Sequence, residues 1–163
     1  MRSPVIFFLF FLCSPLSAQV RVEVGAAVGQ QSYASPERGA QFLISPEVSL
    51  SGDRLGLYYA LDHADLSSAG TMYASHVGLA YRGPVAHNVS VRLGAGPSYV
   101  TVEHLGGEPS WHAQAELALR TGRLEWFAKV RQYDYSLSEF RLAEASPNGP
   151  ALLAGVRFTL RSR

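Results

Sequence analysis

The stretch SWHAQAELALRTGRLEWFAKVRQYDYS, Ser110 to Ser136, carries apolar residues at every second position on both sides of a Thr-Gly-Arg turn. Trp111, Ala113, Ala115, Leu117 and Leu119 alternate with His112, Gln114, Glu116, Ala118 and Arg120. Beyond the turn, Leu124, Trp126, Ala128 and Val130 alternate with Glu125, Phe127, Lys129 and Arg131. A period of two sends successive side chains to opposite faces of a strand, so two such runs around a short turn predict a hairpin. One face is aliphatic and aromatic, the other charged. Which of them meets water decides the fold.

The same alternation fills the chain from Val20 onward. Val20, Val22, Val24, Ala26 and Val28 form one apolar row, and Phe42, Ile44, Pro46, Val48 and Leu50 the next. Leu55, Leu57, Tyr59 and Leu61 follow, then Tyr73, Ser75, Val77, Leu79 and Tyr81, then Val89, Val91, Leu93, Ala95, Pro97 and Tyr99. After the quoted hairpin comes a last row, Leu152, Ala154, Val156, Phe158 and Leu160. These are eight strands, each long enough to cross a bilayer when tilted, with no competing helical pattern. Pro46 and Pro97 each remove a ladder donor from their strands. The connections SGD (51–53), RGPVAHN (82–88) and TGR (121–123) are compact. Those at 34–39, 66–71, 104–110 and 136–149 are longer or more polar. Alternating short and long connections, with both termini on the short side, fit an even-stranded up-and-down barrel.

Residues 1–18, MRSPVIFFLFFLCSPLSA, have one positive charge, an apolar run and a small-residue end, the pattern of a secretory leader cleaved after Ala18. The domain division expected is therefore leader 1–18 and barrel 19–163. The lone cysteine, Cys13, falls in that leader, which leaves no disulfide framework, thiol nucleophile or cysteine metal site in the barrel. Fourteen basic residues, Arg2 among them, stand against thirteen acidic ones, so the barrel is close to neutral. A nucleic-acid partner would need a concentrated basic surface. Lys129 is the single lysine, and the bias to arginine suits carboxylate pairing in a confined space.

Three features place the faces. The polar face holds both signs: Arg21, Arg54, Arg82, Arg92, Arg120, Lys129, Arg131 and Arg157 with Glu23, Glu47, Asp62, Glu116 and Glu125. That face is also rich in small residues such as Gly25, Ala27, Gly56, Gly78, Gly94 and Gly96, which a narrow barrel interior needs and a solvated surface does not. On the apolar face the aromatics sort by height. Phe42, Tyr73, Tyr99 and Trp111 lie toward one end, and Tyr81, Trp126 and Phe158 toward the other. Two aromatic belts around an aliphatic waist mark two membrane interfaces.

With its leader, alternating strands, belts and closing AGVRFTL, the chain resembles the small eight-stranded bacterial outer-membrane barrels of the OmpA and OmpX type. The resemblance covers nearly all of the chain after residue 18 and rests on no diagnostic motif. It implies a porin-like antiparallel fold in a Gram-negative outer membrane at the cell surface, lipid as the surroundings, and insertion by the outer-membrane assembly machinery. Such barrels usually end on an aromatic residue, whereas here TLRSR follows Phe158 up to Arg163. No cell-wall-binding domain is expected after the barrel.

The charged face, turned inward, is expected to pair. Glu116 and Glu125 should engage some of Arg92, Arg120, Lys129, Arg131 and Arg157, in a network that also takes in Arg21, Glu23, Glu47, Arg54 and Asp62, because isolated confined charges cost several kcal/mol. An ion-conducting pore is the alternative to such a plug, although eight strands give too small a bore for an open channel.

Chemistry has one outward candidate. His63 and Asp65 share the lipid-side face with Ser75 on the next strand, the residue types of a hydrolase acting on membrane lipid. The lipid A deacylases carry a His-x-Ser-Asn pattern on one strand, and it is absent here. His76 and His112 face the interior as structural histidines. His104 to Glu108 is too loose for a metal site, and no cofactor fingerprint appears.

The expectation is a non-catalytic barrel with a structural or surface-interaction role. Segment 136–149, with Phe140, Arg141 and Leu142, is the place to test for an external partner, and a merely solvated loop is the alternative. A soluble secreted barrel holding an apolar ligand is the remaining rival. It requires the aliphatic face to point inward.

Overall fold

The computed structural model describes residues 20–32, 41–65, 70–103, 106–134 and 149–162. Residues 1–18 and the 136–148 stretch, with Phe140, Arg141 and Leu142, lie outside the described residues, as does His104. Eight strands follow in order: β1 (Arg21–Gln31), β2 (Gln41–Ser51), β3 (Leu55–Asp65), β4 (Thr71–Ala86), β5 (Val89–Val102), β6 (Gly106–Thr121), β7 (Leu124–Asp134) and β8 (Ala151–Ser162). Each pairs antiparallel with its sequence neighbour, and β8 pairs with β1, so the sheet closes on itself. Closure matters because every strand edge then finds its ladder partner, as a sheet standing in lipid requires.

The alternation read from the sequence is the alternation of burial. In β6, Leu117 is 54% exposed on the outer wall while its neighbour Glu116 is 2% exposed within. Val24, Ile44, Leu57, Val77, Leu93, Val130 and Leu152 also stand outside, and Glu23, Glu47, Asp62, Arg92, Lys129, Arg131 and Arg157 stand inside. That rules out the soluble apolar-ligand barrel, whose aliphatic face would have to be enclosed. All seven belt aromatics, Phe42, Tyr73, Tyr81, Tyr99, Trp111, Trp126 and Phe158, are exposed on the outer wall. Tyr59 joins them opposite Val48 and Val77, between the two groups.

Several local readings need correction. The RGPVAHN connection is mostly strand: β4 runs to Ala86, Ala86 pairs with Val89, and the turn is His87–Asn88 alone. Likewise 106–110 is not loop but the start of β6, with Gly106 to Ser110 paired to Val102 through Ser98. Glycine and proline made both segments read as turns, yet flanking strands on either side hold them in the ladder. Arg54 does not enter the interior. It sits exposed in the bend between β2 and β3, where Gly52 N donates to Leu55 O at 2.7 Å, and β3 begins one residue later.

The prolines leave a visible mark. The β2–β3 ladder pairs Ile44 with His63 and resumes at Glu47 with Ala60, skipping Ser45 and Pro46. The β4–β5 ladder pairs His76 with Ser98 and resumes at Leu79 with Ala95, skipping Pro97 and Gly96. Each proline nitrogen has no hydrogen to give at that point.

Two ends can be distinguished: a turn end, where β2–β3, β4–β5 and β6–β7 join, and a loop end opposite. Toward the loop end the interior is apolar, built from Leu43, Ala64, Met72, Ala74, Val100 and Val102, all buried. The polar interior lies from there to the turn end.

Candidate functional site

The interior side chains form two hydrogen-bonded clusters, stacked along the bore. At the turn end, Glu23 accepts from Ser49 (3.1 Å) and Ser51 (3.0 Å) on β2 and from Arg82 on β4 (3.3 Å). Arg120 of β6 reaches the same carboxylate at 3.1 Å. Glu125 of β7 accepts from Arg82 (2.9 Å), Arg120 (3.0 Å) and Arg157 (2.5 Å). Arg157 of β8 also donates to Glu47 (2.8 Å) and to both oxygens of Glu116 (2.8 and 3.0 Å). Lys129 bonds the other oxygen of Glu47. The Phe127 ring lies beneath both cations, 4.5 Å from Arg157 and 5.0 Å from Lys129. Cross-strand ties from six strands therefore converge on four carboxylates.

Nearer the loop end, Asp62 is the anchor. Arg131 donates to it at 2.6 Å, Tyr133 donates to its other oxygen, and His76 bonds it at 3.2 Å. His76 bonds Ser98 (2.8 Å), Ser98 bonds His112 (2.7 Å), and His112 bonds Tyr58 (2.5 Å). Arg131 also donates to Gln114 (3.0 Å) and Ser45 (3.4 Å). Tyr58 crosses the bore from β3 to lie against Gly78 and Gly94. A Cβ on Gly78 would stand 2.4 Å from its hydroxyl, and one on Gly94 would stand 2.9 Å from its ring. Those glycines are room for a ring.

Glu116 and Glu125 thus meet Arg157 and Arg120 among the expected cations. Lys129 and Arg131 go instead to Glu47 and Asp62. Arg21 is half-buried at the turn-end mouth, beside Asp53, Arg82, His87 and Arg120. Sequence reasoning did not name Tyr58, Ser98, Gln114 or Tyr133 as network members. Strand parity puts Tyr58, Ser98 and Gln114 on the polar face, and all three are buried inside, but parity does not say which groups they bond.

The outward hydrolase candidate does not assemble. Register sets His63 opposite Tyr73, whose ring packs on it at 4.9 Å, and Ser75 opposite Leu61. Ser75 donates weakly to Tyr99 O at 3.5 Å. Among the described residues no hydrogen bond joins His63 to Ser75, so the hydroxyl has no base within reach. An acid–imidazole–hydroxyl order does occur as Asp62, His76 and Ser98, but inside the wall, with each group 6% exposed or less and the serine shared with a second imidazole. Among the described residues no cluster of three metal-ligating side chains is found.

The crystal structure of Neisserial surface protein A (NspA) matches with a TM-score of 0.62 at 15% identity, covering 86% of this chain and 97% of that one. The Yersinia pestis outer-membrane protein Ail, determined in a phospholipid bilayer nanodisc, matches at 0.54 and 9% identity over 88% of this chain and 100% of its own. A de novo designed transmembrane β-barrel matches at 0.59 and 11% identity, over 86% and 95%. The fold is that of the small outer-membrane barrels. Neither a protein-family model nor a curated protein sequence matches the chain. At these identities the likeness shows the fold alone.

Proposed function

We propose that this protein is a non-catalytic outer-membrane barrel, closed by its interior network, with a structural or surface-interaction role. The leader 1–18 would be removed and the barrel, 19–163, inserted by the outer-membrane assembly machinery, its loop end outward. The supporting observation is that every carboxylate of the turn-end network is bonded to at least one cation within the bore. Charges so matched fill the space an ion would cross, and the aliphatic outer wall supplies the surface that acyl chains cover. An external partner would meet segment 136–149, with Phe140, Arg141 and Leu142 the first side chains to replace.

The test has two readings on one preparation. The protein should fractionate with outer membranes and migrate differently on a gel before and after heating. Purified and placed in planar bilayers, it should pass no steady current. Sustained nanosiemens conductance would overturn the plug, and recovery in the aqueous fraction without detergent would overturn the membrane barrel.

A further inference from the structure

One interior cation belongs to neither cluster. The turn-end network sets Glu23, Glu47, Glu116 and Glu125 against Arg82, Arg120, Lys129 and Arg157, and the other cluster sets Asp62 against Arg131. Arg92 of β5 is 3% exposed and forms no ion pair among the described residues. Its register partner on β6 is Glu116, but both Glu116 oxygens are turned to Arg157. Its register partner on β4 is Arg82, a charge of the same sign. The guanidinium stacks over the Tyr58 ring at 5.3 Å, and its Nη2 is buried without a hydrogen-bond partner among the described residues. Glu108 Oε2 is also buried and unpartnered, but Glu108 pairs with Val100, eight residues from Arg92 along β5. At the rise of a strand that separation is about 26 Å, too far to pair.

A water molecule could accept the Nη2 hydrogen but would leave the charge standing in a confined space. We propose that Arg92 holds a small monovalent anion of the halide class, chloride in the cell, inside the barrel between the two clusters. The Tyr58 face takes one side of the guanidinium, and the N–H edge remains for the ion. One unmatched positive charge calls for a single negative one. A sulfate or a doubly ionised phosphate would overcharge the site.

The native protein, folded in uncharged detergent, is unfolded by heat at rising chloride with gluconate holding ionic strength constant. A ligand that binds only the folded state raises the midpoint with the logarithm of its concentration, by a few degrees for about a hundredfold more chloride. Bromide should substitute, and Arg92→Gln should remove the dependence. A midpoint indifferent to chloride, or a dependence that survives Arg92→Gln, overturns the site. Should the variant not fold, anomalous scattering from bromide-soaked native crystals decides. A peak beside Arg92 Nη2 supports the site, and density there without an anomalous signal overturns it in favour of water.

Discussion

Arg157 carries three carboxylates, and they do not depend on it equally. Glu47 keeps Lys129, and Glu125 keeps Arg82 and Arg120, but Glu116 has no second ion pair among the described residues, although Arg92 and Lys129 stand beside it in register. Arg157→Met should therefore destabilise the barrel by about 3–5 kcal/mol, because it leaves a buried carboxylate unmatched. Adding Glu116→Gln should recover most of that loss, and urea unfolding of the two variants and their combination measures it as a double-mutant cycle. Additive losses would show that Arg157 acts through Glu47 instead. Gly78→Ala puts a Cβ against the Tyr58 hydroxyl and should cost about 1–3 kcal/mol, a penalty that should vanish when Tyr58 is already alanine. The charged positions of this interior could be anticipated from strand parity, because a two-residue period leaves only two faces to choose between. Which carboxylate takes which arginine could not, since it depends on the shear of the barrel and on side-chain reach across the bore. Arg54 had the right parity and failed for another reason: it lies one residue before its strand begins.

Among the strands, the quoted hairpin was the most legible part of the chain, and its turn shows why. Gly122 has φ +63°, and Thr121 pairs with Leu124 across the two residues Gly122 and Arg123. No atom lies within 4 Å of a Cβ built there, so a side chain would meet no obstacle except its own backbone. Gly122→Ala should accordingly cost about 1–2 kcal/mol through left-handed backbone strain alone. Arg123→Ala, beside it in the same exposed turn, should be close to neutral. Equal effects in denaturant titration would mean that the turn adopts another geometry. Strand lengths were harder to read than strand existence. Gly83, Pro84 and the Gly106–Pro109 segment carry turn-type residues, and local propensity ends the strands there. The closed sheet extends them because each strand has a neighbour on both sides, and only the Pro84/Ala86 bulge records the misfit. The apolar residues Leu43, Met72, Val100 and Val102 inside the loop end were equally hard to foresee. Alternation says which way a residue points, not what will cover it.

For the molecule as a whole, the decisive property is the solvent on its outside. Ala115 faces outward midway along β6, between the Trp111 belt and the Leu119–Trp126 pair, and Thr121 faces outward at the turn end of the same strand. In water the two positions are equivalent, and an arginine at either would be nearly neutral. In a bilayer they differ by depth. Arginine near the midplane costs about 2–4 kcal/mol, and near the interface about 0–1 kcal/mol. Ala115→Arg and Thr121→Arg should therefore separate by about 2–3 kcal/mol when reversible folding into phospholipid vesicles is titrated with urea. The interior clusters are untouched by either change, so the difference reports the surroundings and not the plug. A lipid-facing wall requires the gap to narrow when vesicles of shorter acyl chains bring position 115 nearer the headgroups. An equal cost at both positions, independent of chain length, would mean that Leu117, Leu93 and Val77 face something other than acyl chains.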